Sequence, residues 1–211
     1  ALGWSVGMKV VDQIPVFSGV HTIGGYDLNS LCASLAVSGA VPMCHLPGIT
    51  PEAPTLKAAL GNRKPRETFT IDDAELKRVY QDRSTKGPGS EIDLVLLGCP
   101  HYGYREIMEV ADFLKGKKVC SNVRLWITTS TPIASVARRA GWVDVIEEAG
   151  GEIMCSLCAL ISKAGFFGFE TMATDSAKAT YYGIGQMGLK DTILGSMEDC
   201  IRAAVSGKWS D

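Results

Sequence analysis

The feature that most constrains the fold is a strand-then-helix pattern that recurs from residue 91 to the end of the chain. Five apolar runs are each followed by a segment with helical spacing: "IDLVLLG" (92–98), "VRLWITTS" (123–130), "GEIMCS" (151–156), "GFETMAT" (168–174) and "TILG" (192–195). Continuous apolar runs are typical of strands buried on both faces, and the helices between them supply right-handed crossovers. The pattern predicts an α/β fold, a doubly wound, mostly parallel sheet with helices on both faces.

The first ninety residues follow a different pattern. We interpret "KVVDQIPVFSGV" and "AVPMCHL" as strands around a helix at "DLNSLCASLAVSG", followed by the proline-rich loop "LPGITPEAPT". Asp72 is the predicted N-cap of a later helix, and "STKGPGSE" (84–91) is the best linker candidate. We therefore predict an N-terminal α/β subdomain over residues 1–88, with the GITPEA loop, and a doubly wound domain over residues 89–211.

Composition and charge exclude several classes of protein. Hydrophobic residues make up 46% of the 211 residues and charged residues 21%, as in soluble globular domains. The net charge of −2 speaks against a nucleic-acid-binding or membrane-binding surface, and no apolar run is long enough to span a bilayer. The chain opens at Ala1 without an initiator Met or signal segment, so we expect processing or excision from a longer protein.

The cysteines favour a reduced, cytoplasmic protein. There are seven, an odd number, without the spacing of a secreted disulfide framework. Cys32 and Cys200 lie in helical patterns and are predicted core residues. "CSLC" is a single C-x-x-C pair, too little for a zinc site on its own, but Cys155 and Cys158 are compatible with a thioredoxin-like redox pair.

Polar and sulfur-containing side chains follow the predicted strands at the points where the strands end. Because the carboxyl ends of parallel strands meet at one edge, these side chains form a candidate site. They are Cys99, His101, Thr128, Thr129, Ser130, Cys155, Ser156, Cys158, Thr174, Asp175, Ser176, Lys178 and Ser196, and an earlier loop adds Cys44, His45, Thr50 and Glu52.

Each of these residues also has a purely structural interpretation. A cysteine after a strand is more often a buried filler than a ligand. His101 could cap the helix that follows it, and any of Thr174, Asp175 or Ser176 could be a helix N-cap. Glu52 could cap a short helix over residues 52–60.

Five segments together resemble a known family. "HLPGITPEAPT" (45–55), "GCPHYGYREI" (98–107), "WITTSTP" (126–132), "GEIMCSLCALI" (151–161) and "TDSAKATYY" (174–182) occur in the order found in the large subunit of aconitase X, across essentially the whole chain. The resemblance implies a hydro-lyase, such as a cis-3-hydroxy-L-proline dehydratase or a mevalonate 5-phosphate dehydratase. It also implies iron, often an iron–sulfur cluster on three cysteines, and a small swivelling domain or subunit as partner.

The resemblance assigns two metal ligands in this chain. Cys99 matches the cysteine of the family's Gly-Cys-Pro-His segment, and Cys158 matches a second ligand. The family usually has Asp-Thr before that second cysteine, where this chain has Ser156 and Leu157, so Cys155 stays open as the alternative. The family's third cysteine lies upstream of "GWSVGMKV" and has no counterpart here. Asp175 stands where the family usually has Asn.

Dehydration of a hydroxy acid needs a Lewis acid on the leaving hydroxyl, a base for the carbon-bound proton and donors for the substrate anion. The predicted catalytic residues are His101, Ser176 and Lys178, and the predicted substrate-binding residues are His45, Thr50, Glu52, Thr128, Ser130, Thr174 and Asp175. We expect a fragment of an iron–sulfur or mononuclear-iron dehydratase, inactive and without its metal when alone. The alternatives are a thiol redox protein using Cys155 and Cys158, and a non-catalytic α/β domain.

Overall fold

The computed structural model of the protein describes residues 1–210. By compactness the chain divides into two units, Ala1–Val79 and a second unit from Tyr80 onward. Ser84 and Thr85, which the sequence assigned to a linker, hydrogen bond to the backbone of Leu194 and Thr192 in the second unit. The domain boundary drawn at residue 88 stays a prediction.

The N-terminal unit is built from helices and loops. Its helices are α1 (Leu2–Val10), α2 (Gly25–Gly39), α3 (Leu56–Ala59) and the first part of α4 (Asp73–Asp82). The strand predicted from "KVVDQIPVFSGV" is wrong in its first part, because Leu2, Val6 and Val10 recur with helical spacing and pack together into the core of this unit. Its later part forms one isolated parallel bridge, Val16 to His45.

Helices α1 and α2 approach closely because small residues line their contact. A Cβ on Gly39 would collide with the carbonyl of Gly7. We expect Gly39→Ala to destabilise the protein by about 1–3 kcal/mol, as overpacking does. Gly25→Ala, in the same helix with open space around it, is the control and should be neutral or stabilising by up to about 1 kcal/mol. Urea unfolding measures both, and equal effects would show that the helix contact is loose.

The second unit contains a five-stranded, all-parallel sheet in the order β3-β2-β1-β4-β5, which confirms the predicted α/β fold. Its strands are β1 (Leu94–Tyr102), β2 (Arg124–Thr129), β3 (Gly151–Cys155), β4 (Thr171–Thr174) and β5 (Asp191–Leu194). Its helices are α5 (Tyr104–Leu114), α6 (Thr131–Arg139), α7 (Trp142–Ala149), α8 (Ala177–Gly185) and α9 (Met197–Ser206). Two short 3₁₀ turns, Ala159–Ile161 and Ala164–Phe167, lie between β3 and β4.

The two faces of the sheet are covered by different helices. Leu94 and Leu96 of β1 pack with Ala179 of α8 and with Leu160 and Ala164 of the 3₁₀ turns. Val95 and Leu97 alternate with them and are also fully buried. Helices α5 and α9 contact β1 and each other. A strand covered on both faces needs the unbroken apolar run that "LVLL" supplies.

The strand order reverses direction between β1 and β4, and this reversal is the topological switch point of the sheet. The chain runs from β1 to β2 and β3 on one side and then returns to β4 and β5 on the other. In such sheets the crevice at the carboxyl ends of the two strands flanking the switch point is where ligands bind. Helices α5, α6 and α8 begin directly after β1, β2 and β4, so their N-termini lie at this same edge. The crevice therefore combines side chains from the ends of β1 and β4 with a positive electrostatic contribution from helix termini.

Helix starts follow the capping chemistry in the sequence. Asp72 accepts the amide of Glu75 at 2.8 Å, which confirms the predicted cap of α4. Ser176 and Ser196 accept amides from Ala179 and Asp199, so both serines cap their helices. In residues 1–210, no helix has the length and apolar character needed to cross a membrane.

Candidate functional site

The pairing of β1 with β2 is interrupted shortly before β1 ends. Its pairing with β2 is regular up to Leu97, shifts, and resumes only at Tyr102. Gly98, Cys99, Pro100 and His101 form the irregular segment between. An interruption of this kind re-aims side chains that a regular strand would point along its two faces. The thiol and the imidazole are thus placed by a local break in the strand at the switch point.

Gly98 makes this break possible. Its φ is +86°, and a Cβ would collide with the backbone carbonyl of Thr128 on the neighbouring strand. We expect Gly98→Ala to destabilise the fold by roughly 2–5 kcal/mol, from backbone strain and steric overlap together. Gly168→Ala is the control, because Gly168 has φ +90° in open space and should lose only about 1–2 kcal/mol. Equal losses in denaturant unfolding would mean that β2 yields to the added methyl.

A cavity of about 470 Å³ opens at the carboxyl edge of the sheet. Five predicted site residues line it: Cys99, His101, Thr128, Cys158 and Lys178. The remaining lining residues are Leu96, Gly98, Pro100, Ser156, Leu157, Ala159 and Leu160. Two thiols, one imidazole and one ammonium group therefore border the same space.

Cys99 is half-buried, and its surroundings pull its pKa in opposite directions. Burial raises the pKa of the Cys99 thiol and is the largest influence. The positive charge of Lys178 and a hydrogen bond with Ser176 lower it, whereas Cys158 and Asp175 raise it. The net direction is upward, so the free thiol stays protonated at neutral pH. These interactions also show that Cys158, Asp175, Ser176 and Lys178 all act on the Cys99 sulfur.

His101 is held by one of its ring nitrogens. Nε2 lies 2.8 Å from the carbonyl oxygen of Leu157, so it must carry the hydrogen that donates this bond. A neutral His101 then has Nδ1 free of a proton and able to accept one. His101 belongs to β1, and the N-cap of α5 is Gly103, so the interpretation of His101 as a helix cap is wrong.

The end of β4 is organised by hydroxyl groups and by Tyr102. Thr174 is fully buried and its hydroxyl accepts the amide of Ser176 at 3.3 Å. The Tyr102 hydroxyl donates to Asp175 Oδ2 at 2.7 Å, which joins the ends of β1 and β4 beyond their last paired residues. Ser176 is buried and caps α8. Lys178 follows in the first turn of α8 and lines the cavity.

Two neighbouring cysteines face different spaces. Cys158 lines the cavity with Cys99, whereas Cys155, at the end of edge strand β3, lines a separate depression with Arg138 and Arg139. Both are free thiols. Ser156 lies between them, and its hydroxyl accepts the amide of Thr131 at 3.1 Å. The loop after β3 thus directs only the later of the two cysteines toward Cys99.

Three further predicted substrate ligands, Thr128, Ser130 and Thr174, are either hydrogen bonded to the backbone or outside the cavity. Thr128 borders the cavity, but it is buried and its hydroxyl donates to the Gly98 carbonyl. Ser130 is the N-cap residue of α6 and does not line the cavity, and neither does Thr174. Their roles as substrate ligands stay predictions.

The GITPEA loop lies in the N-terminal unit. His45 Nδ1 is 2.8 Å from Glu52 Oε1, and this bond with the imidazole is the largest influence that lowers the pKa of the Glu52 carboxyl. The interpretation of Glu52 as a cap is wrong, because α3 begins at Leu56 and Thr55 caps it. Thr50 exchanges hydrogen bonds with the backbone of Leu46. Substrate binding by His45, Thr50 and Glu52 stays a prediction.

Two contributors were not among the residues that the sequence indicated, Tyr102 and the backbone carbonyl of Leu157. Tyr102 is the last residue of β1 and is fully buried, and an aromatic residue in that position reads as core packing. The Leu157 carbonyl acts through its backbone, which no side-chain pattern records. Ser156 has a positive φ of 53°, a conformation that marks a sharp turn at the strand end. Ser156, by contrast, was among the strand-end residues that the sequence indicated.

The cavity offers the type of ligand that a thiolate-bound metal needs, but only two such ligands. In the part of the chain that the structure describes, residues 1–210, no group of three His, Cys, Asp or Glu side chains is placed to hold a metal ion. Cys99 and Cys158 supply two soft donors at one cavity, and soft thiolates are the ligands that iron–sulfur centres use.

Comparison with known proteins gives consistent matches. The family model described as the aconitase X second domain matches residues 1–81, and that of the aconitase X third domain matches residues 92–206. The phosphomevalonate dehydratase large subunit of Methanothermobacter thermautotrophicus is 35% identical over 203 residues, 96% of this chain and 48% of that protein. The cis-3-hydroxy-L-proline dehydratase of Pseudomonas aeruginosa is 32% identical over 211 residues, 98% of this chain and 36% of that protein.

A solved structure agrees with these matches. The holo-form of Thermococcus kodakaraensis aconitase X superposes with a TM-score of 0.81 at 28% identity, covering 96% of this chain and 50% of that chain. The chain spans about half the length of the phosphomevalonate dehydratase large subunits that it matches. With matches across both units, this chain belongs to the aconitase X family.

Proposed function

We propose that this chain carries part of the active site of a hydro-lyase that dehydrates a small hydroxy acid. The observation that carries the proposal is the convergence of Cys99, Cys158, His101 and Lys178 on one cavity at the switch point of the sheet. The dehydratase names of the relatives support the reaction class. Cis-3-hydroxy-L-proline and mevalonate 5-phosphate are the two substrates to test first.

Cys99 and Cys158 would hold the iron, as a cluster or as a single ion. Cys158 is favoured over Cys155 because only Cys158 lines the cavity with Cys99. That separation also argues against a redox pair formed by Cys155 and Cys158. Iron bound there would supply a Lewis acid for the leaving hydroxyl.

The residues of this chain have separate tasks in the reaction. Lys178 and the N-terminus of α8 bind the carboxylate or phosphate of the substrate. The ring of His101, fixed through Nε2 to Leu157, offers Nδ1 to move a proton. Ser176 hydrogen bonds to the Cys99 thiol and also caps α8. Asp175, held in place by the Tyr102 hydroxyl, contributes a negative charge close to the same sulfur atom.

A partner is part of the proposal. Several of the relatives are named as large subunits, so a small subunit or domain is expected to complete the enzyme. Closure by such a partner would exclude water from the reacting carbon.

The test uses the complete enzyme that contains this chain, purified anaerobically with its partner. Iron and acid-labile sulfide are measured per polypeptide, and dehydration of each substrate is followed by the alkene that forms. We expect bound iron and turnover of one substrate, with a difference in kcat/KM between the two of about 10²-fold or more, since one substrate carries a phosphate and the other a ring amine. Enzyme that contains iron but dehydrates neither compound would contradict the proposed substrates. An intact complex of this chain with its partner that contains no iron would contradict the metal site.

A further inference from the structure

A second pair of sulfur atoms lies in the N-terminal unit. Cys32 of α2 and Cys44, just before the bridge residue His45, have their Sγ atoms 4.0 Å apart. Cys44 is only 8% exposed and belongs to the core of this unit, packed with Leu35 and Leu46. Cys32 is exposed, so its assignment to the core from the helical pattern is wrong. One sulfur of the pair is thus open to solvent and the other is not.

The pair has the reach that a disulfide requires. Two sulfurs at 4.0 Å are in contact without a bond, and a covalent S–S bond needs a separation of about 2.0 Å. The residues are twelve positions apart and belong to different elements, so the bond would close a loop across the unit. Bond formation therefore requires the two sulfur atoms to approach each other by about 2 Å.

The two thiols differ in reactivity. Burial raises the pKa of the Cys44 thiol to about 12, and the proximity and hydrogen bond of Cys32 and the nearby Glu52 add to the shift. Cys44 is therefore protonated at neutral pH, and the solvent-exposed Cys32 reacts first. Cys32 thus has the properties of the attacking thiol in thiol–disulfide exchange, and Cys44 has those of the resolving thiol.

We propose that Cys32 and Cys44 are a thiol–disulfide exchange site that forms a reversible disulfide with oxidants of the glutathione-disulfide class. The Cys32 thiolate attacks one sulfur of the small disulfide, a mixed disulfide forms and one glutathione thiolate leaves. The Cys44 sulfur then attacks the Cys32 sulfur, its proton passes to the second leaving glutathione, and the S–S bond forms. Two protein thiols and one small disulfide become one protein disulfide and two small thiols.

The bond would tie α2 to the segment that carries His45. The backbone amide and carbonyl of His45 bond to Pro15 and Phe17, and its ring bonds to Glu52. Cys44 is the residue directly before this set of bonds. Oxidation would therefore anchor both the bridge segment and the His45–Glu52 pair to α2. All of these residues lie in the N-terminal unit, so the exchange site is independent of the proposed function.

The experiment exposes the complete protein to oxidised glutathione, blocks remaining thiols by alkylation and maps each cysteine by peptide mass. We expect a cross-linked Cys32–Cys44 peptide as the main product at these positions, reversed by dithiothreitol. Cys44→Ala should instead accumulate glutathione on Cys32, and Cys32→Ser should leave Cys44 reduced. Cys200, buried and without the neighbour that Cys44 has, is the internal control and should stay reduced in folded protein.

The wild-type protein alone decides the result, so the inference does not depend on whether the variants fold. A stable mixed disulfide on Cys32 with Cys44 reduced would overturn it, because the second exchange step would then not occur. So would the absence of any reaction at Cys32. A cross-link that appears only in urea would overturn it as well, since the native arrangement would not then bring the thiols together.

Discussion

Replacing Cys99 by serine in the complete enzyme is expected to remove most of its iron and to lower the rate of dehydration by about 10³-fold or more. A serine hydroxyl is a hard, protonated oxygen and a poor substitute for a soft thiolate. Loss of a Lewis acid worth several kcal/mol, about 4 kcal/mol here, corresponds to about 10³ in rate. Iron per polypeptide and the dehydration rate are measured on the same anaerobic preparation.

Serine variants of two further cysteines, Cys158 and Cys155, are the controls. Cys158→Ser should lose iron in the same way, because Cys158 lines the cavity with Cys99. Cys155→Ser should keep its iron within about twofold, because Cys155 faces a separate depression. If Cys155→Ser loses iron and Cys158→Ser keeps it, the ligand is Cys155. If all three variants retain iron, the metal is bound elsewhere.

The architecture of the second unit could be predicted because the physical signals in it are strong. "LVLL" in β1 is an unbroken apolar run, which suits only a strand covered on both faces. The serines and glycines after the strands mark helix starts, and Ser176 and Ser196 cap α8 and α9. Once the sheet is parallel, the carboxyl edge follows from the topology, and so does the meeting of Cys99, His101 and Lys178.

The N-terminal unit shows where such signals mislead. "KVV" reads as a β run in a short window, but Leu2, Val6 and Val10 define one helical face over a longer one. The close approach of α1 to α2 also depends on Gly7 and Gly39, and a missing side chain leaves no hydrophobic signal. The helix in that stretch is visible only when the spacing is followed over three turns.

The site could be predicted as a neighbourhood but not as a set of contacts. Residue type and strand position suffice to bring Cys99 and Cys158 to the same edge. Backbone geometry decides which hydroxyl groups are available to a substrate. The Thr128 hydroxyl, for example, already donates its hydrogen bond to the Gly98 carbonyl. The bond between His101 and the Leu157 carbonyl also depends on a loop of irregular backbone, to which no periodicity applies.

Replacing Lys178 by methionine is expected to raise KM for the hydroxy-acid substrate by roughly 10- to 150-fold. The change removes one charged hydrogen-bond donor to the substrate anion, an interaction worth about 1.5–3 kcal/mol, and leaves the length of the side chain nearly unchanged. Lys178 is half-buried in the first turn of α8 and lines the cavity, so its ammonium group can act on an anion bound there together with the helix N-terminus.

The same substitution has a second expected effect, on the metal. The positive charge of Lys178 lowers the pKa of Cys99, so its removal raises that pKa further. Protons then compete better with iron for the Cys99 sulfur. As the pH is lowered, the variant should therefore begin to lose iron at a higher pH than the wild type does. Iron retained after dialysis across a pH series measures this.

Two matched variants separate charge from packing. Lys178→Arg keeps the charge and should recover much of the lost KM, though not all, since a planar guanidinium places its donors differently. Lys190→Met, at the amino end of β5 where Lys190 pairs with Glu170, should leave KM and iron retention unchanged. A Lys178→Met enzyme with normal KM and normal pH dependence of iron binding, but a lower kcat, would mean that Lys178 acts in the chemical step and holds neither the anion nor the thiolate.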